Sequence, residues 1–216
     1  MTQTTILFDL DGTLADTAPD LAFALNETLK LNHRKTLAFE KIRPVVSHGG
    51  IALIKLGFGF GPESPFYQTV RQQLLDIYLE NIARETKLFP GTEELLTTLE
   101  NNNHKWGVVT NKPGWLTEPL MDALSLSQRA ACIVSGDTTS KNKPHPQPMY
   151  YACQQANVHP SDCYYVGDAE RDIVAGRAAG MTTVAALFGY ICEDDDPQDW
   201  QADYAIYQPL ELLTLL

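Results

Sequence analysis

Basic residues are scarce in this chain. Lysine and arginine number 16 against 27 aspartates and glutamates, a formal net charge of −11 over 216 residues. A nucleic-acid binder presents a basic face, and none is visible, so nucleic acid is not expected as a partner. The same balance repels phosphate esters at long range, so a phosphorylated ligand needs a local cation. Long apolar runs are missing too, and no stretch is long enough to cross a bilayer. The N-terminus lacks the basic-then-apolar pattern of a secretory signal. The expected location is the cytoplasm, with no membrane partner.

Cysteine is also sparse. Cys132, Cys153, Cys163 and Cys192 make no CxxC pair and match no zinc spacing. Cys132 and Cys163 lie in apolar strand-like runs and Cys153 in a helical pattern, so these three read as core thiols. No disulfide framework is indicated. Internal repeats and low-complexity tracts are absent. The acidic run Glu193-Asp194-Asp195-Asp196 has too few alternating ligand positions, and no suitable glycine, for a calcium loop. It reads as a solvated loop.

What is present is apolar residue in quantity, 44% of the chain, enough for a substantial core. The run Ile6-Leu7-Phe8 reads as a buried strand. From Leu88 onward strands and helices alternate: strands near 106–110, 131–134, 164–166, 182–187 and 204–206, and helices near 93–100, 115–124, 147–156, 172–179 and 210–216. That alternation predicts a parallel sheet covered on both faces. Between residues 15 and 86 strand signals are weak. Leu21, Leu25 and Leu29 have helical spacing, with Asp16 or Thr17 as cap and Pro19 in the first turn. Gly49-Gly50 punctuates, 58–65 is a Gly- and Pro-rich loop, and a helix is predicted over 66–84. The expected fold is α/β: a Rossmann-like sheet core over residues 1–15 and 87–216, with an inserted helical unit over 16–86.

The first strand ends in Asp9-Leu10-Asp11-Gly12-Thr13. Carboxylates at the end of a buried strand are costly to desolvate unless paired or bound to a metal. Asp9 and Asp11 project from the same side of an extended chain. The carboxyl ends of parallel strands are where α/β sheets place their chemistry. Three further stretches bear polar groups at comparable positions: Thr110-Asn111, the loop Lys141–Pro148 containing Lys143, and Gly167-Asp168 followed by Asp172. Each has a plain structural reading. Thr110-Asn111 can cap a helix, Lys143 can be a solvated cation, Asp168 can cap the next helix, and Asp172 can be a surface acid in its first turn.

Together, in this order, the four stretches resemble the four motifs of haloacid dehalogenase-like phosphatases, and the resemblance spans essentially the whole chain. The helical insert between the first and second motifs is similar to that family's type 1 cap. Within the family the chain resembles the phosphoglycolate phosphatase branch, and more closely the N-acetylmuramic acid 6-phosphate phosphatases. The stretches that carry this are Lys87-Leu88-Phe89-Pro90-Gly91, Trp106-Gly107-Val108-Val109-Thr110-Asn111-Lys112-Pro113 and Phe188-Gly189-Tyr190-Ile191.

The resemblance implies a phosphomonoesterase acting on a small-molecule phosphate ester. Asp9 would be the nucleophile and Asp11 the general acid and base. Thr110, the Asn111 amide and Lys143 would hold the phosphoryl group. Mg²⁺ would be ligated by Asp9, the Asp11 carbonyl and Asp168, with Asp172 assisting. Position 169 is Ala where relatives often carry Ser. In the insert, Arg43, Ser47, His48, Gly49, Gly50 and Lys55 cluster. Arg43 is a candidate for a substrate carboxylate, and Gly49-Gly50 would allow backbone approach. Two other readings remain open: a sugar-phosphate mutase of the same superfamily, and a non-catalytic phosphometabolite-binding protein. A monomer or small homo-oligomer is expected.

Overall fold

The computed structural model describes residues 4–192 and 195–216. The N-terminal apolar run forms β1 (Thr5–Phe8), buried along its whole length. A tight turn leads to β2 (Ala15–Asp16) and α1 (Ala18–Leu31). Next come α2 (Phe39–Ile42), a 3-10 turn over Arg43–His48, α3 (Gly49–Phe58) and α4 (Tyr67–Glu80). β3 (Lys87–Leu88) then opens an alternating series: α5 (Thr92–Asn101), β4 (Lys105–Val109), α6 (Gly114–Ala123), β5 (Ile133–Val134), α7 (Gln147–Ala156), β6 (Cys163–Gly167), α8 (Glu170–Ala179), β7 (Thr182–Ala186) and β8 (Tyr204–Ile206). A 3-10 helix over Pro209–Leu215 closes the chain.

Six strands form one parallel sheet in the order β5-β4-β1-β6-β7-β8. The expected α/β architecture is therefore present. Strand periodicity sends alternate residues to opposite faces. Ile6, Phe8, Trp106, Val108 and Val166 pack under α5, α6 and the C-terminal turn. Leu7, Val109, Val134 and Tyr165 pack under α7 and α8. A strand apolar on both faces has to be central, and β1 is. Each such buried aliphatic side chain contributes about 1.5–3 kcal/mol of burial.

Register is what assembles the site. Phe8 is level with Val108 on one side and Val166 on the other. Asp9, Thr110 and Asp168 thus emerge at one edge of the sheet, on neighbouring strands. Gly12 has φ +86°, and a Cβ there would run into Asp168 Oδ2, so the turn after Asp11 requires glycine.

The helical stretch packs as its own cluster, from Ala18, Leu25, Ile42, Leu53 and Leu74 to Tyr78. It is joined by Phe89, Leu116 and Tyr190 from the sheet side. The chain passes between the two parts twice, and the two passages pair antiparallel as β2 and β3, Ala15 with Leu88 and Asp16 with Lys87. Asp20, fully buried in the first turn of α1, secures the return passage. It accepts hydrogen bonds from the amides of Glu85 (3.0 Å) and Thr86 (2.9 Å) and from the Thr86 hydroxyl (2.7 Å).

Some expectations hold here and others are corrected. Gly49-Gly50 punctuates as expected: Gly49, at φ +75° and ψ −171°, ends the 3-10 turn Arg43–His48, and α3 begins there. Leu53, Ile54 and Phe58 tie that helix into the insert's core. The helix expected over 66–84 stops at Glu80, and the closing helix is of the 3-10 type. Thr17 stands at the start of α1 but does not cap it, because its hydroxyl donates to Asp11 Oδ1 at 2.6 Å. Cys132, Cys153 and Cys163 are buried, as read from sequence. Of the acidic run, Glu193 and Asp194 lie outside the described residues. Asp195 accepts from the Trp200 indole (2.7 Å) and Asp196 from the Gln198 amide (3.0 Å).

Candidate active site

Asp9, at the end of β1, is 3% exposed. One of its oxygens, Oδ1, accepts from its neighbour's amide, Leu10, at 2.8 Å and pairs with Lys143 Nζ at 2.9 Å. Arg171 lies 4.0 Å from the other oxygen. Burial pushes the Asp9 carboxyl up, but Lys143 and Arg171 outweigh it and hold the group below the ordinary carboxylate range. Asp9 is therefore ionised at neutral pH.

Asp168 and Asp172 reach the same spot from β6 and α8. Ligand oxygens of Asp9, Asp168 and Asp172 all lie within 4.8 Å of one another, the one such group of potential metal ligands among the described residues. Asp168 accepts from the hydroxyls of Ser47 (2.6 Å) and Thr13 (3.2 Å) and from the Tyr190 amide (2.9 Å). Burial, with the charges of Asp9 and Asp172, still pushes its carboxyl up to about 7. Asp172 is fully buried; burial and Asp9 raise it, against Lys143 and Arg171. Neither acid serves in the plain structural role its sequence position allows. Asp168 is engaged with Ser47, Thr13 and Tyr190, and Asp172 is no surface acid, although it does accept from the Ala169 amide at 3.2 Å.

Lys143 is not solvated either. Its ammonium is buried between Asp9 and Asp172 (2.7 Å), the Val109 carbonyl (2.9 Å) and the Tyr165 hydroxyl (2.8 Å). The loop that carries it is clamped by Asn111. The Asn111 side-chain amide donates to the Lys143 carbonyl at 3.0 Å, and its oxygen accepts from the Lys143 amide at 3.1 Å. Thr110 is buried, and its Oγ1 accepts from the Lys112 amide at 3.1 Å.

A cavity of about 430 Å³ opens onto this cluster. Asp9, Asp11, Thr110, Asn111 and Gly49 line it, and Lys143, Asp168 and Asp172 are buried beside Asp9 off its wall. Ser47, His48 and Gly50 also line it. Arg43 does not. Its guanidinium donates to the Gly189 carbonyl at 3.2 Å and lies over the Tyr190 ring, 4.9 Å from the centroid. The arginine proposed from sequence for a substrate carboxylate is thus spent on the sheet side of the structure. Lys55 is likewise absent from the cavity wall.

Sequence reasoning missed three cations that do line it: Arg71, Lys112 and Arg171. Lys112 forms a buried ion pair with Asp11 at 2.9 Å, and its ammonium stands 4.6 Å from the centroid of the Tyr78 ring. Burial pulls the Lys112 ammonium down, but Asp11 and Tyr78 outweigh it and the group stays charged. The signal for Lys112 and Arg171 was adjacency: one follows Thr110-Asn111, the other lies between Asp168 and Asp172. Arg71 had no local signal.

A buried carboxylate triad beside a clamped lysine, under a cavity, matches a known family. The model of haloacid dehalogenase-like hydrolases matches residues 6–186. The chain belongs to the haloacid dehalogenase-like hydrolases. This haloacid dehalogenase-like hydrolase is 41% identical over 207 residues to a phosphoglycolate phosphatase of Xanthomonas campestris pv. campestris, covering 96% of this chain and 93% of the relative. It is 40% identical over 212 residues to an N-acetylmuramic acid 6-phosphate phosphatase of Pseudomonas aeruginosa, covering 98% and 93%. Among solved structures, a predicted phosphoglycolate phosphatase from Haemophilus somnus 129pt superposes with TM-score 0.87 at 26% identity, covering 100% of this chain and 98% of the other. The protein is an enzyme, a phosphoric monoester hydrolase.

Proposed function

We propose that this hydrolase is a Mg²⁺-dependent phosphatase of small carboxylated phosphate esters, with N-acetylmuramic acid 6-phosphate or 2-phosphoglycolate as substrate, working through an aspartyl phosphate on Asp9. The observation that carries the reading is the triad Asp9, Asp168 and Asp172, three buried acids of which Lys143 pairs two and Arg171 stands 4.0 Å from one. Such a set is short of positive charge. All its donors are oxygen, which suits a hard divalent cation. Asp9, Asp168 and the Asp11 carbonyl would hold the ion, with Asp172 assisting. Mg²⁺ bound there would neutralise charge on the phosphoryl oxygens.

The chain's own groups divide the work. Asp9 attacks phosphorus as the bond to the leaving oxygen breaks, and Asp11 gives that oxygen its proton. Water then attacks the phosphoaspartate, Asp11 takes the water's proton, and inorganic phosphate leaves Asp9 free. Thr110 and Lys143 stabilise charge on the phosphoryl oxygens, and Asn111 aims Lys143. Residues 1–15 and 87–216 form the catalytic core and 16–86 the cap. The β2–β3 pairing at the two crossings supports that division, and four cysteines without a disulfide suit a cytoplasmic enzyme.

The test is phosphate release from both esters, with Mg²⁺ and with EDTA, using Asp9→Asn as blank. Release that requires Mg²⁺ and Asp9 is the expected result. An isomerised sugar phosphate with little free phosphate would replace hydrolysis by mutase chemistry. Mg²⁺-dependent binding without turnover would make the protein a binder.

A further inference from the structure

We infer that the inner face of α4 is the leaving-group subsite, with Arg71 receiving the substrate's carboxylate and the Tyr78 hydroxyl bonding a neutral polar group on the same molecule. The inference rests on the phosphatase reading and narrows its substrate.

Arg71, Leu74, Leu75 and Tyr78 recur at helical spacing, so they share one face, and all four line the cavity over Asp9 and Asp11. The other cations on that wall are committed. Lys112 is paired with Asp11 at 2.9 Å, and Arg171 faces Asp9 at 4.0 Å. Among the described residues no hydrogen bond or ion pair engages the Arg71 guanidinium. An arginine is charged at every physiological pH and offers a planar fork that fits a carboxylate. The Tyr78 hydroxyl is fully buried and makes no hydrogen bond of ordinary geometry, with the Lys112 ammonium, itself paired to Asp11, as its charged neighbour. Buried hydroxyls are ordinarily bonded, so this one is a donor held for something that enters the cavity. Leu74 and Leu75 between them meet the carbon frame of that molecule.

Size decides between the two candidate esters. A volume of about 430 Å³ lies in the range of sites that enclose whole small molecules. A two-carbon acid phosphate fills a small part of it. An N-acetylated sugar acid phosphate has the bulk to fill it. It also has a carboxylate remote from its phosphate and a neutral amide and hydroxyls for Tyr78.

The experiment compares N-acetylmuramic acid 6-phosphate with N-acetylglucosamine 6-phosphate, the same sugar without the lactyl carboxylate. Wild type, Arg71→Ala, Arg71→Lys and Tyr78→Phe are measured with Mg²⁺. The wild-type ratio of kcat/KM between the two sugars is expected to exceed about tenfold, the worth of one charge-assisted contact. In Arg71→Ala it falls toward unity, chiefly through KM, and Arg71→Lys restores part of it. Tyr78→Phe lowers kcat/KM for both sugars by about fivefold, the scale of one neutral hydrogen bond. In parallel, free N-acetylmuramic acid competes against p-nitrophenyl phosphate, and its Ki rises about tenfold in Arg71→Ala. A wild-type preference that survives in Arg71→Ala, with an unmoved Ki, overturns the Arg71 assignment and leaves the phosphatase reading standing. A wild type that hydrolyses p-nitrophenyl phosphate but has no preference for carboxylated esters overturns the substrate reading together with the subsite.

Discussion

Asp20 and Asp168 are both aspartates sealed from solvent, yet they keep opposite company. Asp20 faces two backbone amides and a hydroxyl, all donors. Asp168 also has three donors, but it sits against two more carboxylates, and its own carboxyl is pushed up to about 7. A buried acid surrounded by donors closes a structure. Buried acids facing one another leave a charge that Lys143 and Arg171 offset only in part, and that imbalance is what the proposed cation would meet. Burial alone separates neither case from the other; the neighbours do.

The largest way to sharpen this contrast is Asp9→Asn. An amide is a poor nucleophile, and turnover should fall at least about a thousandfold, read as phosphate release under Mg²⁺. Near-normal release would remove Asp9 from its role. Asp168→Asn should cost about a hundredfold in kcat/KM while its thermal midpoint in EDTA stays level or rises, because one of three crowded charges is gone. A large drop in that midpoint would put Asp168 in the same class as Asp20. Asp20→Ala should do the reverse. It strands two amides and a hydroxyl and should destabilise by about 3 kcal/mol, roughly 6–12 °C in Tm, with kcat near that of wild type below the transition. The smallest effect belongs to Ser47→Ala. Loss of one hydroxyl on Asp168 should change the Mg²⁺ concentration for half-maximal activity by only a few fold, and a hundredfold change would promote Ser47 to an essential group.

Much of the sheet was legible because its signals are local. Central strands announce themselves by apolar residues on both faces, as in Ile6-Leu7-Phe8. The acids at their ends are conspicuous because nothing structural needs them there. Asp9 and Asp168 stood out that way, Asp172 and Lys143 through the family resemblance, and the structure brings the four together. The insert was harder. Gly49-Gly50 marks a boundary, but the pair does not say that one helical segment ends on its near side and another begins on its far side. Arg43 and Arg71 are both arginines on helical turns of the insert. Which one looks into the cavity depends on how the insert is laid over the sheet, a relation between distant segments that no local pattern encodes. Tyr78 is similar: an aromatic at helical spacing reads as core, and its idle hydroxyl is visible only once its neighbours are known.

The paired crossings, β2 and β3, carry a mechanical consequence. The insert and the sheet are joined through adjacent, hydrogen-bonded strands, one short seam. The seam is also wired to the carboxylate edge: Asp16, on β2, accepts the Tyr190 hydroxyl at 2.6 Å, and the Tyr190 amide bonds Asp168. Ser47, from the insert, bonds the same carboxylate. Asp168 is thus braced from both sides, and a change at that one carboxylate bears on the seam and the insert together.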